Sequence, residues 1–148
     1  MKLPEIAVIS DTHGSLPDRL VKRLAKADEI WHLGDVTHPS TIEPLQYLPA
    51  DLAIVCGNCD PFGQWPQRLE FERGGHRFRL QHLPPSEGVS GVSAILYGHL
   101  HQPLRERSGD TLLLNPGAIT SPRGGSKSSF GWLRFPEAGQ WTWTIETL

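Results

Sequence analysis

Residues 3–35 read LPEIAVISDTHGSLPDRLVKRLAKADEIWHLGD. The first part, residues 3–10, is short, rich in Ile and Val, and ended by polar residues, which is the pattern of a buried strand. Ser15 with Asp18 three residues on has the form of a capping box, and Pro17 suits a first helical turn. Leu16, Leu20, Val21, Leu24 and Ala27 then share one helical face. Residues 29–33 return to a strand pattern. Residues 40–48 predict a short helix weakened by Pro44, and residues 52–56 a third strand. Strand, helix, strand, helix, strand implies right-handed crossovers and a largely parallel sheet.

The second half changes style. Residues 69–73 and 76–82 flank Gly74-Gly75, which is a hairpin signal. Residues 94–97, 112–114, 131–135 and 141–145 predict further strands. Helices early and strands late point to an α/β chain with two sheets packed together and helices outside. Residues 121–129 are rich in Gly and Ser and predict a mobile loop.

At 148 residues the chain is near the common size of one domain, so a single domain over 1–148 is expected. Hydrophobic residues make up 38% and charged residues 20%, which fits neither a disordered nor a membrane protein. The net charge of -2 gives no basic excess, so stable nucleic-acid binding is not expected. The apolar run after Met1 is too short for a signal-peptide core and Asp11 ends it. No stretch approaches the roughly 20 apolar residues of a membrane span. The 2 cysteines, Cys56 and Cys59, sit too close together to staple a fold. The expectation is a cytoplasmic protein.

Acids, amides and histidines fall where strands end. Asp11 and His13 follow the first strand, Asp35 the second and Asn58 the third. His82 ends a hairpin strand, and His99 and His101 follow residues 94–97. Ligands of open α/β sheets bind outside the carboxyl ends of the strands, so these residues can meet at one rim. In extended chain, residues i and i+2 point the same way, so Asp11 with His13, and His99 with His101, can each aim two groups at one place. A mixed set of imidazole, carboxylate and amide donors suits a first-row transition metal, and the set is large enough for two ions.

These residues resemble the signature of the calcineurin-like metallophosphoesterase superfamily, and its small single-domain phosphodiesterase branch in particular. Its blocks occur in order: Asp-x-His at Asp11 and His13, Gly-Asp at Gly34 and Asp35, Gly-Asn-Cys-Asp from Gly57 to Asp60, a lone His at His82, and Gly-His-x-His from Gly98 to His101. Asn115, Pro116 and Gly117, with Pro122 and Arg123, also look like the small branch. The resemblance implies a four-layer α/β/β/α sandwich of two mixed sheets flanked by helices. It implies one divalent metal held by Asp11, His13, Asp35 and His101, and a second by Asp35, Asn58, His82 and His99. Asp35 and a hydroxide would bridge the ions, and Asp35, Asn58 and His99 would serve catalysis. Mn2+ is the first expectation, and Ni2+, Fe2+, Zn2+ and Mg2+ also suit such a set.

Two metals about 3.5–4 Å apart can hold the attacking and leaving oxygens of an in-line displacement, so hydrolysis of a phosphodiester or phosphomonoester is the expected activity. The partner is then a small phosphorylated molecule, with a nucleotide-like one in range; a homo-oligomer stays open. The alternative is a protein-binding scaffold like the retromer's small subunit, which resembles this family with an altered metal site. Retention of every ligand position here favours the enzyme.

Other residues carry plainer readings. His32 and His76 read as structural or exposed, and His38 as a cap or surface residue near the pocket. The Cys56–Cys59 spacing is that of a redox pair, but a turn follows rather than a helix. Cys56 reads as core and Cys59 as lining the site. Many larger relatives carry a proton-donating His at the Cys59 position, so the general acid is unassigned. Asp60 is expected to orient a neighbouring His or the backbone. Leu83-Pro84-Pro85 stands after His82 where the family has a glycine, so this loop shapes a different pocket. Arg123 is open between substrate phosphate and surface contact. Trp65, Trp132, Trp141 and Trp143 read as core or interface.

Overall fold

Ile6, Ala7, Val8 and Ile9 are all fully buried, because the strand they form has a core on each face. The computed structural model describes residues 2–86 and 88–148. Its elements are β1 (Ile6–Ile9), α1 (Asp18–Leu24), β2 (Glu29–His32), a 3-10 turn (Pro39–Ile42) running into α2 (Glu43–Gln46), β3 (Asp51–Ile54), β4 (Arg68–Arg73), β5 (His76–Gln81), β6 (Ala94–Leu96), β7 (Pro103–Ser108), β8 (Thr111–Pro116), β9 (Ser129–Arg134) and β10 (Thr142–Thr147). One sheet has the order β10-β9-β1-β2-β3, the other β4-β5-β6-β8-β7. Both are mixed. β1, β2 and β3 run parallel, as do β5, β6 and β8, with antiparallel strands at the flanks.

Alternation along β1 divides the core. Ile6 and Val8 pack between the sheets with Trp31, Phe78, Leu80, Leu96 and Leu114. Ala7 and Ile9 face the other way, against Leu20 and Leu24 of α1 and Leu45 of α2. The helical face expected from Leu16 to Ala27 is the one that packs here. The capping box is not formed. Pro17 occupies the N-cap without a side-chain bond, and the Ser15 N–H donates to the Thr12 carbonyl instead. Pro44 does not break the second helical segment, because it stands in the first turn of α2, where a proline lacks nothing the helix needs. The Gly74-Gly75 turn does close the β4–β5 hairpin, with Arg73 opposite His76 and both glycines at positive φ.

β7 was not expected. It is an edge strand paired only with β8, and Arg105, Glu106 and Arg107 are exposed along it. A charged edge protects against stray pairing and leaves no apolar alternation to read. Helix is sparse: among the described residues all of it precedes β3, and the parallel β5–β6 connection is made without any. None of these helices is long and apolar enough to cross a membrane. Trp132 and Trp143 are buried, and Trp65 and Trp141 pack against the two cores.

Candidate metal centre

The parallel strands of both sheets deliver their carboxyl ends to one rim. β1 leads to Asp11 and His13, β2 to Asp35, β3 to Asn58, β5 to His82, and β6 to His99 and His101. Beyond the strands the backbones stay tied: Asp11 N–H donates to the Gly34 carbonyl at 3.0 Å, His13 N–H to Asp35 at 2.9 Å, and Gly98 N–H to His82 at 2.9 Å.

The side chains converge, but not from extended chain. Asp11, His13, Asp35, His99 and His101 have φ of 57°, 45°, 62°, 71° and 58°. They are five of the seven described non-glycine residues in the left-handed region, a conformation costing about 1–3 kcal/mol at each position. The i, i+2 expectation is corrected for His99 and His101, which point into different groups, whereas Asp11 and His13 do share one; all four reach the site from left-handed turns rather than from extended chain. Close backbone approach makes room for this. A Cβ on Gly57 would overlap Asp35 Oδ1, and one on Gly98 would overlap Ser10 Oγ.

Among the described residues three overlapping groups form, each with donor atoms within 4.8 Å of one another: Asp11, His13 and His101; His13, Asp35 and Cys59; and Asp35, His82 and His99. Asp11 Oδ1 lies 3.5 Å from His13 Nε2, 3.3 Å from His101 Nε2 and 3.9 Å from His82 Nε2. Asp35 Oδ2 lies 3.5 Å from His13 Nε2 and 3.2 Å from His82 Nε2. His99 Nδ1 is 3.1 Å from Asn58 Oδ1. Cys59, absent from the expected ligand set, joins because its N–H donates to Asp35 Oδ1 at 2.8 Å.

Each carboxylate has one tied oxygen and one that faces imidazoles. Asp11 Oδ2 accepts from Ser10 Oγ and the His99 N–H, and Asp35 Oδ1 from Cys59. Two of the histidines are oriented from behind: His82 Nδ1 donates to the Leu33 carbonyl at 2.8 Å and His101 Nδ1 to Ser121 at 2.9 Å. Those protons on Nδ1 turn an Nε2 lone pair inward, which is how metal-binding imidazoles are held. Asp11 Oδ1 and His82 Nε2 are buried with no hydrogen-bond partner. His82 Nε2 and Asp35 Oδ2 are close in distance but not aligned for a hydrogen bond. Unpaired buried polar atoms are costly, and divalent cations bound at them answer that cost. The residues present fit such ions.

The two carboxylates make the cage favourable to positive charge. Burial works against the Asp35 carboxylate, yet His82, the Cys59 N–H and His13 outweigh it and hold the carboxyl well below its usual range. Burial also opposes charge on His82, and Asp35 and Asp11 outweigh it, raising that imidazole. Partial burial and the Asp35 carboxylate raise the Cys59 thiol, which keeps its proton at neutral pH. Asp60 orients backbone, not a histidine: it accepts from the N–H groups of Asp35, Thr37 and Gly57. Asn115 Nδ2 donates to the Gly98 carbonyl and so supports the His99 loop. The 121–129 loop is pinned at His101, through the Ser121 carbonyl and the Arg123 N–H.

His32 ties two ligand loops together. It is fully buried; Nδ1 accepts the Gly34 N–H at 3.0 Å, so Nε2 carries the proton and donates to Thr12 Oγ1 at 3.0 Å. Burial lowers its pKa from 6.5 to about 4. The folded state favours the neutral ring, so its contribution is present above the unfolded pKa of 6.5 and is lost as pH falls toward about 4. Between pH 7 and pH 4.5 the wild type should lose about 2 kcal/mol more stability than His32→Gln, measured by urea unfolding in chelator. Identical pH dependence in the two proteins would refute this.

A sequence model of the calcineurin-like phosphoesterase superfamily domain matches residues 5–137. The chain belongs to this superfamily. Superfamily members use divalent metals, and side chains able to hold them are in place here. Among relatives of this phosphoesterase, phosphodiesterase YfcE of Escherichia coli (strain K12) is 32% identical, the match covering 84% of each chain. A probable metallophosphoesterase of Methanothermobacter thermautotrophicus is 33% identical over 80% of this chain and 78% of its own. The solved structure of the E. coli phosphoesterase YfcE superposes with a TM-score of 0.75 at 27% identity, covering 87% of each chain. Vps29 of Entamoeba histolytica, solved with zinc, superposes with a TM-score of 0.73 over 96% of this chain and 98% of its own; at 17% identity it shares the fold.

Proposed function

We propose that this phosphoesterase is a two-metal phosphodiesterase acting on a small phosphorylated substrate, with residues 1–148 working as one domain. The observation that carries the reading is the inward-facing pair Asp11 Oδ1 and His82 Nε2, buried, unpartnered and 3.9 Å apart. One ion is assigned to Asp11, His13, Asp35 and His101, the other to Asp35, Asn58, His82 and His99, with Asp35 shared. Manganese is the first candidate, since the donors are nitrogen and oxygen. Bound divalent ions supply Lewis-acid activation of water and neutralise charge on the phosphoryl group.

The chain's own groups set floor and mouth. Asp11, Asp35, His82 and His101 are buried, whereas His13 and His99 are half-buried and Asn58 and Cys59 exposed. A phosphate approaches from the exposed side, where the Asn58 amide and the His99 imidazole reach its oxygens. Asp35, held by Cys59 and flanked by two imidazoles, fixes the spacing of the cage.

The test uses an aryl phosphodiester and the matching monoester with manganese, nickel or magnesium. Hydrolysis should appear with metal, favour the diester, vanish with chelator and return on metal addition. Full metal occupancy without turnover on either ester would move the chain to the scaffold class.

A further inference from the structure

The cage opens sideways into a cleft of about 640 Å³ that Asn58 and His82 share with Phe62, Gln67, Arg68 and Leu83. Among the described residues four large hydrophobic side chains are markedly exposed: Tyr47, Phe62, Leu83 and Ile145. Single exposed apolar residues need no explanation. Two of these four, however, line this one cleft, each a few residues beyond a candidate ligand in the chain. Phe62 is 95% exposed and follows Asn58; Leu83 is 50% exposed and follows His82 directly.

We infer that Phe62 and Leu83 form a seat for a flat aromatic group, of aryl or nucleobase size, carried on the substrate's phosphate ester. An aromatic and an aliphatic side chain on one cleft offer a flat ring apolar contact that a short alkyl group cannot match. The polar part of the cleft fits an anionic ester. Asp60, the acid in the wall, has its carboxylate occupied by three backbone N–H groups. Arg68 forms no ion pair among the described residues and offers a cation at the cleft edge. The inference rests on the phosphodiesterase proposal, since the metal site must hold the phosphate while the ring lies on Phe62.

Binding to the manganese-loaded protein tests it by calorimetry, with methylphosphonate and phenylphosphonate as probes. The phenyl compound should bind about tenfold tighter than the methyl one, in the range of one ring stacked on an aromatic side chain. Phe62→Ala should bring the two affinities together by weakening phenylphosphonate alone, and Leu83→Ser should do so in part. Phe62 is almost fully exposed, so its loss does not threaten folding. Equal affinities in the wild type, or a preference that survives both substitutions, would overturn the aromatic seat and leave the phosphodiesterase proposal standing. Failure of both phosphonates to bind would remove that proposal and this inference with it.

Discussion

Asp35→Asn is expected to lower metal-dependent diester hydrolysis by about 10³-fold or more and to cost the protein at least one bound ion. The change keeps the shape of the side chain, so the effect isolates chemistry. Asp35 Oδ1 accepts the Cys59 N–H, which fixes the amide oxygen of an asparagine at that position. The amide nitrogen then falls where Oδ2 lay, 3.2 Å from His82 Nε2 and 3.5 Å from His13 Nε2. Two hydrogens would point into the cage where a lone pair is needed, and the charge that offsets the cations is gone. Metal content by elemental analysis and kcat/KM on an aryl diester check both halves. A variant that keeps two ions per chain and the wild-type rate would take Asp35 out of the centre.

Where the groups meet could be read from the sequence because parallel strands have a direction. Asp11, Asp35, Asn58 and His99 each stand just past an apolar run and His82 at the end of a hairpin strand, and such ends share a rim. How they meet could not be read. The left-handed turns at Asp11, His13, Asp35, His99 and His101 are held by contacts from distant parts of the chain, such as Ile119 N–H to the Ser10 carbonyl and Thr120 N–H to Asp11, both from the loop between β8 and β9. Nothing local to Asp-Thr-His specifies them. The same holds for His32, whose role needs Thr12 and Gly34 brought together by the β1–β2 ladder. Long-range pairing decides these features, and alternation within one segment carries no record of it. β7 is a different case: it pairs with its neighbour β8 across Gly109-Asp110, a hairpin signal that its run of charged residues masks.

Asp60→Ala should destabilise the protein by about 3 kcal/mol and weaken metal binding about 10–100-fold, though Asp60 lies outside the proposed ligand sets. Its Oδ2 accepts from Asp35 N–H at 2.8 Å and Gly57 N–H at 2.7 Å, and its Oδ1 from Thr37 N–H at 2.8 Å. Asp35 and Thr37 both hold positive φ, so these bonds keep two strained residues in place. Alanine leaves three N–H groups without an acceptor. Each bond to a carboxylate contributes about 1.5–3 kcal/mol, and partial exposure lets water recover some of the sum. Against a net stability of about 5–15 kcal/mol the loss is large but leaves a folded protein. Asp60→Asn separates the two roles. Its amide oxygen can serve Asp35 and Gly57 while its NH2 group opposes Thr37, so about half the destabilisation is expected. Urea unfolding in chelator reads the stability, and manganese titration reads the affinity. If Asp60→Ala matched wild type in both, the turn carrying Asp35 would hold itself, and the strain at its left-handed residues would have to be balanced elsewhere in the β2 and β3 loops.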